Sequence, residues 1–233
     1  MRRAGLALAA VGLSGCSLGA EEGATRQGRQ IFGLWQGSVF AALVVGGLVW
    51  GLIVFAVFRY RRRDDAIPTQ RQYLLKLEIA YTLVPIVIVA VIFAFAYRTQ
   101  NEVDALSPDP DVVVEVRGFQ WQWQFHYRDH AVTITGTPDR DPQLVLPVDR
   151  TARLVVTSRD VVHSFYVPDF RFKRDLIPGI TNRFDLHPER EGTYVGRCAE
   201  FCGLQHARMD FSVKVVSPAE FESWLADREG DAS

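Results

Sequence analysis

Four side chains able to bind a soft metal fall within twelve residues: Cys198, Cys202, His206 and Met209, spaced Cys-x3-Cys-x3-His-x2-Met. Thiolate, thioether and imidazole together favour copper over hard cations. Zinc would use the Cys and His but has little use for a Met. A mononuclear blue-copper site needs one thiolate, one Met and two imidazoles, so the second Cys requires its own explanation. Two coppers bridged by two thiolates supply one. The competing reading is a Cys198–Cys202 disulfide, which an exported domain permits. Met209 alone could fill a core, yet the only other Met is Met1.

A copper pair needs a second imidazole from elsewhere. The chain has five His, and His163 is best placed. It follows the apolar run 153–157 and lies in Asp160-Val-Val-His163-Ser-Phe-Tyr-Val-Pro168, where one buried strand ends and the next begins. His187 precedes Pro188 in a turn, and His126 and His130 flank a polar turn; these three read as surface or packing residues.

The elements that must position these ligands change character along the chain. Residues 39–58 and 79–97 are uncharged and mostly apolar. At ~1.5 Å per residue each crosses a hydrocarbon core of ~30 Å. Pro85 inside the second is tolerated in a spanning helix. The segment between them carries Arg59, Arg61, Arg62, Arg63, Arg71 and Lys76, which places it in the cytoplasm. The expected anchor is a hairpin over 31–100, with helices about 34–58 and 76–98 joined by loop 59–75. Residues 1–15 have the charged start and apolar core of a signal peptide. They end in Leu13-Ser14-Gly15-Cys16, which resembles a bacterial lipobox with Cys16 as the lipidated residue. Glu78 opens the second helix, where a carboxylate is favoured by the helix N-terminus.

From residue 111 onward the pattern is short runs rich in Val, Thr, Phe and Trp, broken by Pro, Gly and Asp. Strands are expected at 112–116, 119–127, 131–135, 143–147, 153–157, 164–167, 181–186, 193–197 and 211–215. Their short spacing predicts a β-sandwich or barrel over 101–233, with 101–110 as linker. Ser217-Pro218-Ala219-Glu220 forms a capping box for a short terminal helix. Residues 1–100 carry 11 Lys/Arg against 5 Asp/Glu, and residues 101–233 carry 15 against 22, so a net charge of −1 hides halves of +6 and −7. No Cys-x-x-Cys-His occurs, which excludes a covalently attached c-type haem. The segment 118–127 alternates aromatic and polar residues and predicts a half-buried strand with Phe119, Trp121, Trp123 and Phe125 on one face.

The loop resembles the binuclear CuA loop of cytochrome c oxidase subunit II, whose pattern is Cys-x-Glu-x-Cys-x3-His-x2-Met. The resemblance implies a mainly β, cupredoxin-like Greek-key domain anchored by a two-helix transmembrane hairpin. It implies two coppers bridged by Cys198 and Cys202, with His163 and His206 as imidazoles, Met209 as thioether and the Glu200 backbone carbonyl completing the set. It also implies a magnesium ion on the Glu200 carboxylate at the boundary with subunit I, a hard cation suited to that ligand. Residues 118–127 are similar to the family's Gly-His-Gln-Trp-Tyr-Trp strand, with Phe119 for His and Gln122 for the first Tyr; Trp121 then receives the incoming electron. Leu77-Glu78-Ile79-Ala80-Tyr81-Thr82-Leu83-Val84-Pro85 resembles Leu-Glu-x-x-Trp-Thr-x-x-Pro, which puts Glu78 at the mouth of a proton pathway. The likeness continues through 160–179, where Lys173-Arg174-Asp175-Leu176-Ile177-Pro178-Gly179 matches a stretch facing the catalytic subunit.

The function implied is transfer of electrons from reduced cytochrome c to haem in subunit I, within a complex that also holds subunit III. The oxygen-reducing centre lies outside this chain, and no nucleic-acid partner is expected. The location implied is the bacterial plasma membrane, with the C-terminal domain outside. A membrane-tethered copper chaperone also pairs Cys-x3-Cys with a distant His, but has no call for His206 and Met209 and needs a thioredoxin-like alternation of strands and helices. Quinol-oxidase relatives have lost the copper ligands that stand here. Nitrous oxide reductase carries this loop on a large soluble enzyme without a hairpin.

Overall fold

The computed structural model describes residues 22–231 apart from residues 64, 66 and 68. The signal segment 1–15 and Cys16 lie outside the described residues.

Helix α1 spans Arg26–Arg59 and α2 spans Leu75–Asp104. Both run past their apolar cores. The Thr25 hydroxyl caps α1 by accepting from the Gly28 N–H at 3.0 Å, so the helix starts eight residues before the expected point. At its far end α2 takes in the first four residues of the expected linker. A 34-residue helix is ~50 Å long, more than a bilayer core requires. Large apolar side chains along both helices, among them Phe40, Trp50, Phe58 and Phe93, are exposed, as lipid-facing residues are.

Two five-stranded sheets form the outer domain. One has the order β3-β2-β1-β5-β8 and the other β4-β10-β9-β6-β7. The strands are β1 Val112–Phe119, β2 Gln122–Tyr127, β3 Thr133–Thr135, β4 Gln143–Pro147, β5 Ala152–Ser158, β6 His163–Val167, β7 Phe172–Leu176, β8 Asn182–Leu186, β9 Gly192–Cys198 and β10 Asp210–Val216. Pairing is antiparallel except for β1 with β5 and β10 with β4. Those two parallel pairs require crossovers, and they give the sandwich its cupredoxin-like winding. The terminal helix α3, Pro218–Asp231, is capped by the Ser217 hydroxyl, which accepts from the Glu220 N–H at 3.2 Å.

Two expectations need correction. The aromatic segment is not one strand from 119 to 127. The chain reverses at Gln120-Trp121, and Phe119 pairs with Gln122 across the turn. Burial alternates only from Trp123 through Phe125 to Tyr127, so Phe119 and Trp121 do not share that face. The second correction is β7, read from sequence only as a partner-facing stretch. Lys173, Arg174 and Asp175 conceal a strand between the buried ends Phe172 and Leu176.

The core is aromatic. Phe165 stacks on Phe211 with centroids 4.7 Å apart, and Trp123 meets Phe211 edge-on at 5.1 Å. A Cβ on Gly196 would fall 2.1 Å from the Phe211 ring, so β9 can lie this close only with glycine there.

Hairpin and domain are joined at several points. The Ala24 N–H donates to the Asp169 carbonyl at 2.8 Å, and the Arg26 N–H to the His187 carbonyl at 3.0 Å. Arg174 binds Asp104 at 2.5 Å. Buried Asp185 accepts from Arg153 at 2.8 and 3.0 Å and from the Ser107 N–H at 2.6 Å, which clasps the segment after α2 to β5 and β8. Replacing Asp185 with Ala leaves the largely buried Arg153 without its carboxylate. The expected loss is about 3 kcal/mol of stability, read from denaturant unfolding of the full chain by tryptophan fluorescence. An unchanged midpoint would show that the clasp contributes nothing.

Candidate metal centre

The donors meet at one end of the sandwich because of how three strands end. His163 begins β6, Cys198 ends β9 and Met209 immediately precedes β10. β6 and β9 pair through Phe165 with Cys198 and Tyr166 with Arg197, which sets His163 beside Cys198. The connection 199–209 folds back over this end, with a short 3-10 turn at His206–Arg208.

Within it the Cys198 and Cys202 sulfurs are 3.8 Å apart. His163 Nδ1 lies 3.9 Å from Cys198 Sγ, and His206 Nδ1 3.6 Å from Cys202 Sγ. Met209 Sδ is 3.8 Å from Cys202 Sγ, and the Glu200 carbonyl oxygen is 3.2 Å from Cys198 Sγ. Both Cys are free thiols, and the sulfur separation is far beyond a disulfide bond. His163, Met209 and both Cys are buried, while His206 is half-buried. At the usual metal–thiolate length of ~2.3 Å, sulfurs this close can share an ion. Two thiolates, two imidazoles, a thioether and a carbonyl exceed one tetrahedral shell, and their softness suits copper. The donor set fits the metal that the spacing predicts.

Electrostatics prepare the pocket unevenly. Burial pushes both thiols up, but His163 and the backbone around Glu200 and Ser164 bring Cys198 down to about 7. Cys202 keeps the effect of burial and gains the repulsion of the neighbouring sulfur, which together push it up to about 12. Burial opposes the charged form of His163, yet contacts with Cys198 and Asp160 leave its pKa raised. A metal bound by these thiolates displaces their protons.

Around the donors lies a second set of contacts. Asp160 holds His163 Nε2 at 2.8 Å and accepts the Gln120 N–H at 2.7 Å, leaving Nδ1 of the ring facing the sulfurs. The Cys202 carbonyl accepts from Gln120 Nε2 at 2.8 Å and from Trp121 Nε1 at 3.0 Å. Trp123 donates its indole N–H to the Met209 carbonyl at 3.2 Å, and the Cys198 N–H donates to the same oxygen at 3.0 Å. Asp160 and Gln120 were not singled out by sequence; only their places three residues before His163 and one before Trp121 hinted at them. His126, His130 and His187 lie elsewhere, with partners Thr133, Glu229 and Thr151. Glu78 sits half-buried in the first turn of α2 and accepts the Leu74 N–H at 3.3 Å.

Gly203 permits the two bonds to Cys202. Its φ is +116°, and an added Cβ would stand 3.2 Å from both Gln120 Nε2 and Trp121 Cζ2. Gly203→Ala is therefore expected to cost about 1–3 kcal/mol and to loosen the indole contact. Thermal unfolding with a tryptophan emission shift measures both.

Comparisons with known proteins agree with this geometry. The family model of the cytochrome c oxidase subunit II periplasmic domain matches residues 134–216. That of the subunit II transmembrane domain matches residues 14–99. Strands β1 and β2, with Trp121, fall between the two matches. The probable cytochrome c oxidase subunit 2 of Streptomyces coelicolor is 40% identical over 270 aligned positions, which cover 96% of this chain and 84% of the relative. Cytochrome c oxidase subunit 2 of Mycobacterium tuberculosis H37Rv is 32% identical, covering 94% and 78%. Among solved structures, the periplasmic domain of subunit II of cytochrome oxidase from Bradyrhizobium japonicum superposes with a TM-score of 0.50 at 30% identity, covering 55% of this chain and 100% of that one. The two apolar helices are thus a membrane anchor, and the β-domain is periplasmic. With its copper-type donors held on such a domain, the chain belongs to the cytochrome c oxidase subunit II family.

Proposed function

We propose that this chain receives electrons from reduced cytochrome c and relays them to haem in subunit I, where O2 is reduced to water with proton translocation. The observation that carries the proposal is the gathering of six soft or neutral donors in one pocket beside Trp121. Two copper ions held there would supply one-electron redox chemistry. Cys198 and Cys202 would bridge them, His163 and His206 would each bind one, and Met209 and the Glu200 carbonyl would complete the set.

The residues of the chain keep that site stiff. His163 is held by Asp160, Met209 through its carbonyl by Trp123, and Cys202 through its carbonyl by Gln120 and Trp121. A pocket that changes little between oxidation states lets an electron pass with little reorganisation. Trp121 is half-buried and bonded directly to the peptide of a bridging Cys, which supports its role as the residue that receives the electron. The Glu200 carboxylate is assigned to magnesium at the boundary with subunit I. Glu78, half-buried at the cytoplasmic end of α2, is assigned to the mouth of a proton pathway in the partner. Subunit III completes the expected assembly, and Cys16 is the expected lipidation site. The chaperone reading loses ground, since two packed sheets lack the strand–helix alternation it needs.

Copper-loaded full-length chain is expected to hold two coppers and give the seven-line electron spin resonance signal of a shared electron. Cys202→Ser should abolish or convert that signal, and a four-line mononuclear spectrum of the unsubstituted chain would overturn the binuclear assignment. Trp121→Ala is expected to slow electron arrival from reduced cytochrome c by roughly tenfold or more, with the copper spectrum retained. The charge of −7 on residues 101–233 should steer a basic donor. Stopped-flow rates should then fall as salt rises; rates flat with ionic strength would rule out steering.

A further inference from the structure

Two cavities away from the metal centre share residues and form one amphiphilic path. The first, of about 450 Å³, is a groove between α1 and α2, with Gly33, Gly37 and Ala41 on one wall and Val91, Ile92 and Phe95 on the other. Ser38, also in the wall, donates its hydroxyl to the Leu34 carbonyl at 2.8 Å, so it presents no unmet donor. The second, of about 390 Å³, lies where the hairpin meets the β-domain and is lined by polar groups, including Arg26, Gln27, Thr151 and His187. Gln30 and Glu102 line both cavities. The groove occupies the outer half of the hairpin, because α1 begins and α2 ends at the periplasmic domain. From Gly33 to Ala41 is ~12 Å along α1, and from Val91 to Glu102 ~16 Å along α2, against ~15 Å for one leaflet of a ~30 Å core.

We propose that these cavities hold one phospholipid of the outer leaflet, with an acyl chain between the helices and a phosphoethanolamine headgroup at the junction. The charges are arranged for a zwitterion. Arg26, only 3.9 Å from Glu189 in its nearest ion pair and half exposed, faces the phosphate. Each Glu102 oxygen accepts one hydrogen bond, from Arg98 at 2.8 Å and from Gln30 at 3.2 Å, and retains capacity for the ammonium. A partner's transmembrane helix could fill the groove, but would leave the continuous polar cavity without an occupant. The lipid accounts for both halves. This site is independent of the copper reading and rests only on the membrane hairpin.

The test is native mass spectrometry of the full-length chain within its oxidase, extracted in mild detergent and supplied with phosphatidylethanolamine and phosphatidylglycerol. The unsubstituted protein is expected to retain one phosphatidylethanolamine in preference to phosphatidylglycerol. Gly37→Leu fills the groove from a position where an added Cβ meets nothing within 4 Å, and should lower occupancy about tenfold. Gly46→Leu, on the same helix and equally open but outside the groove, should bind as the unsubstituted protein does. Glu102→Gln should keep a lipid and lose the headgroup preference. Absence of bound phospholipid, or full occupancy in Gly37→Leu, would overturn the proposal. So would loss of the lipid in Cys16→Ser, which would identify it as the chain's own covalent anchor, or loss of a copurifying subunit in Gly37→Leu with lipid unchanged.

Discussion

The metal centre depends on the register of β6 against β9. Only two residue pairs join these strands, Phe165 with Cys198 and Tyr166 with Arg197, yet they decide which side chains meet. Side chains alternate between faces along a strand, so a slip of one residue would turn Cys198 away from the sulfur and nitrogen donors around it. The register is held from both sides. Phe165 is locked into the aromatic core by Phe211, Phe184 and Trp123, and β9 is held against β10 through Gly196, where the Phe211 ring leaves no room for a Cβ. Core packing and ligand geometry are therefore the same constraint seen from two ends.

That constraint explains how donors 35 residues apart in sequence come within 3.9 Å of each other. The pairing of β6 with β9 sets His163 beside Cys198. The supporting bonds come from both sheets: Asp160 precedes β6, whereas Gln120 and Trp121 form the turn between β1 and β2. The turn thus belongs to one sheet and the metal loop to the other, and the Cys202 carbonyl is where they are tied.

Much of this was legible in the sequence. The gathering of these donors could be read because soft side chains at loop spacing have few other uses, and that of His163 because an imidazole at a strand boundary is well placed to reach a neighbouring loop. The hairpin was legible from its uncharged runs. What escaped was whatever depends on pairing. The turn at Gln120-Trp121 carries neither Gly nor Pro, so period-two alternation seemed continuous across it. β7 is charged at Lys173, Arg174 and Asp175 because it is an edge strand: Lys173 is exposed, Arg174 binds Asp104, and Asp175 accepts from the Ser164 hydroxyl. Asp185, one carboxylate among many, became identifiable only when Arg153 and Ser107 were seen around it.

The stapled junction has a mechanical consequence. With Ala24, Arg26, Asp104 and Ser107 all bonded to the β-domain, residues 108–111 carry little of the load between anchor and domain. The height of the Cys198–Met209 loop above the bilayer is thus set by where the helices float, as on a rigid mast, and not by the slack of the connecting chain. A membrane that thickens or thins would raise or lower the loop together with the helix ends. Lengthening residues 108–110 would leave that height unchanged.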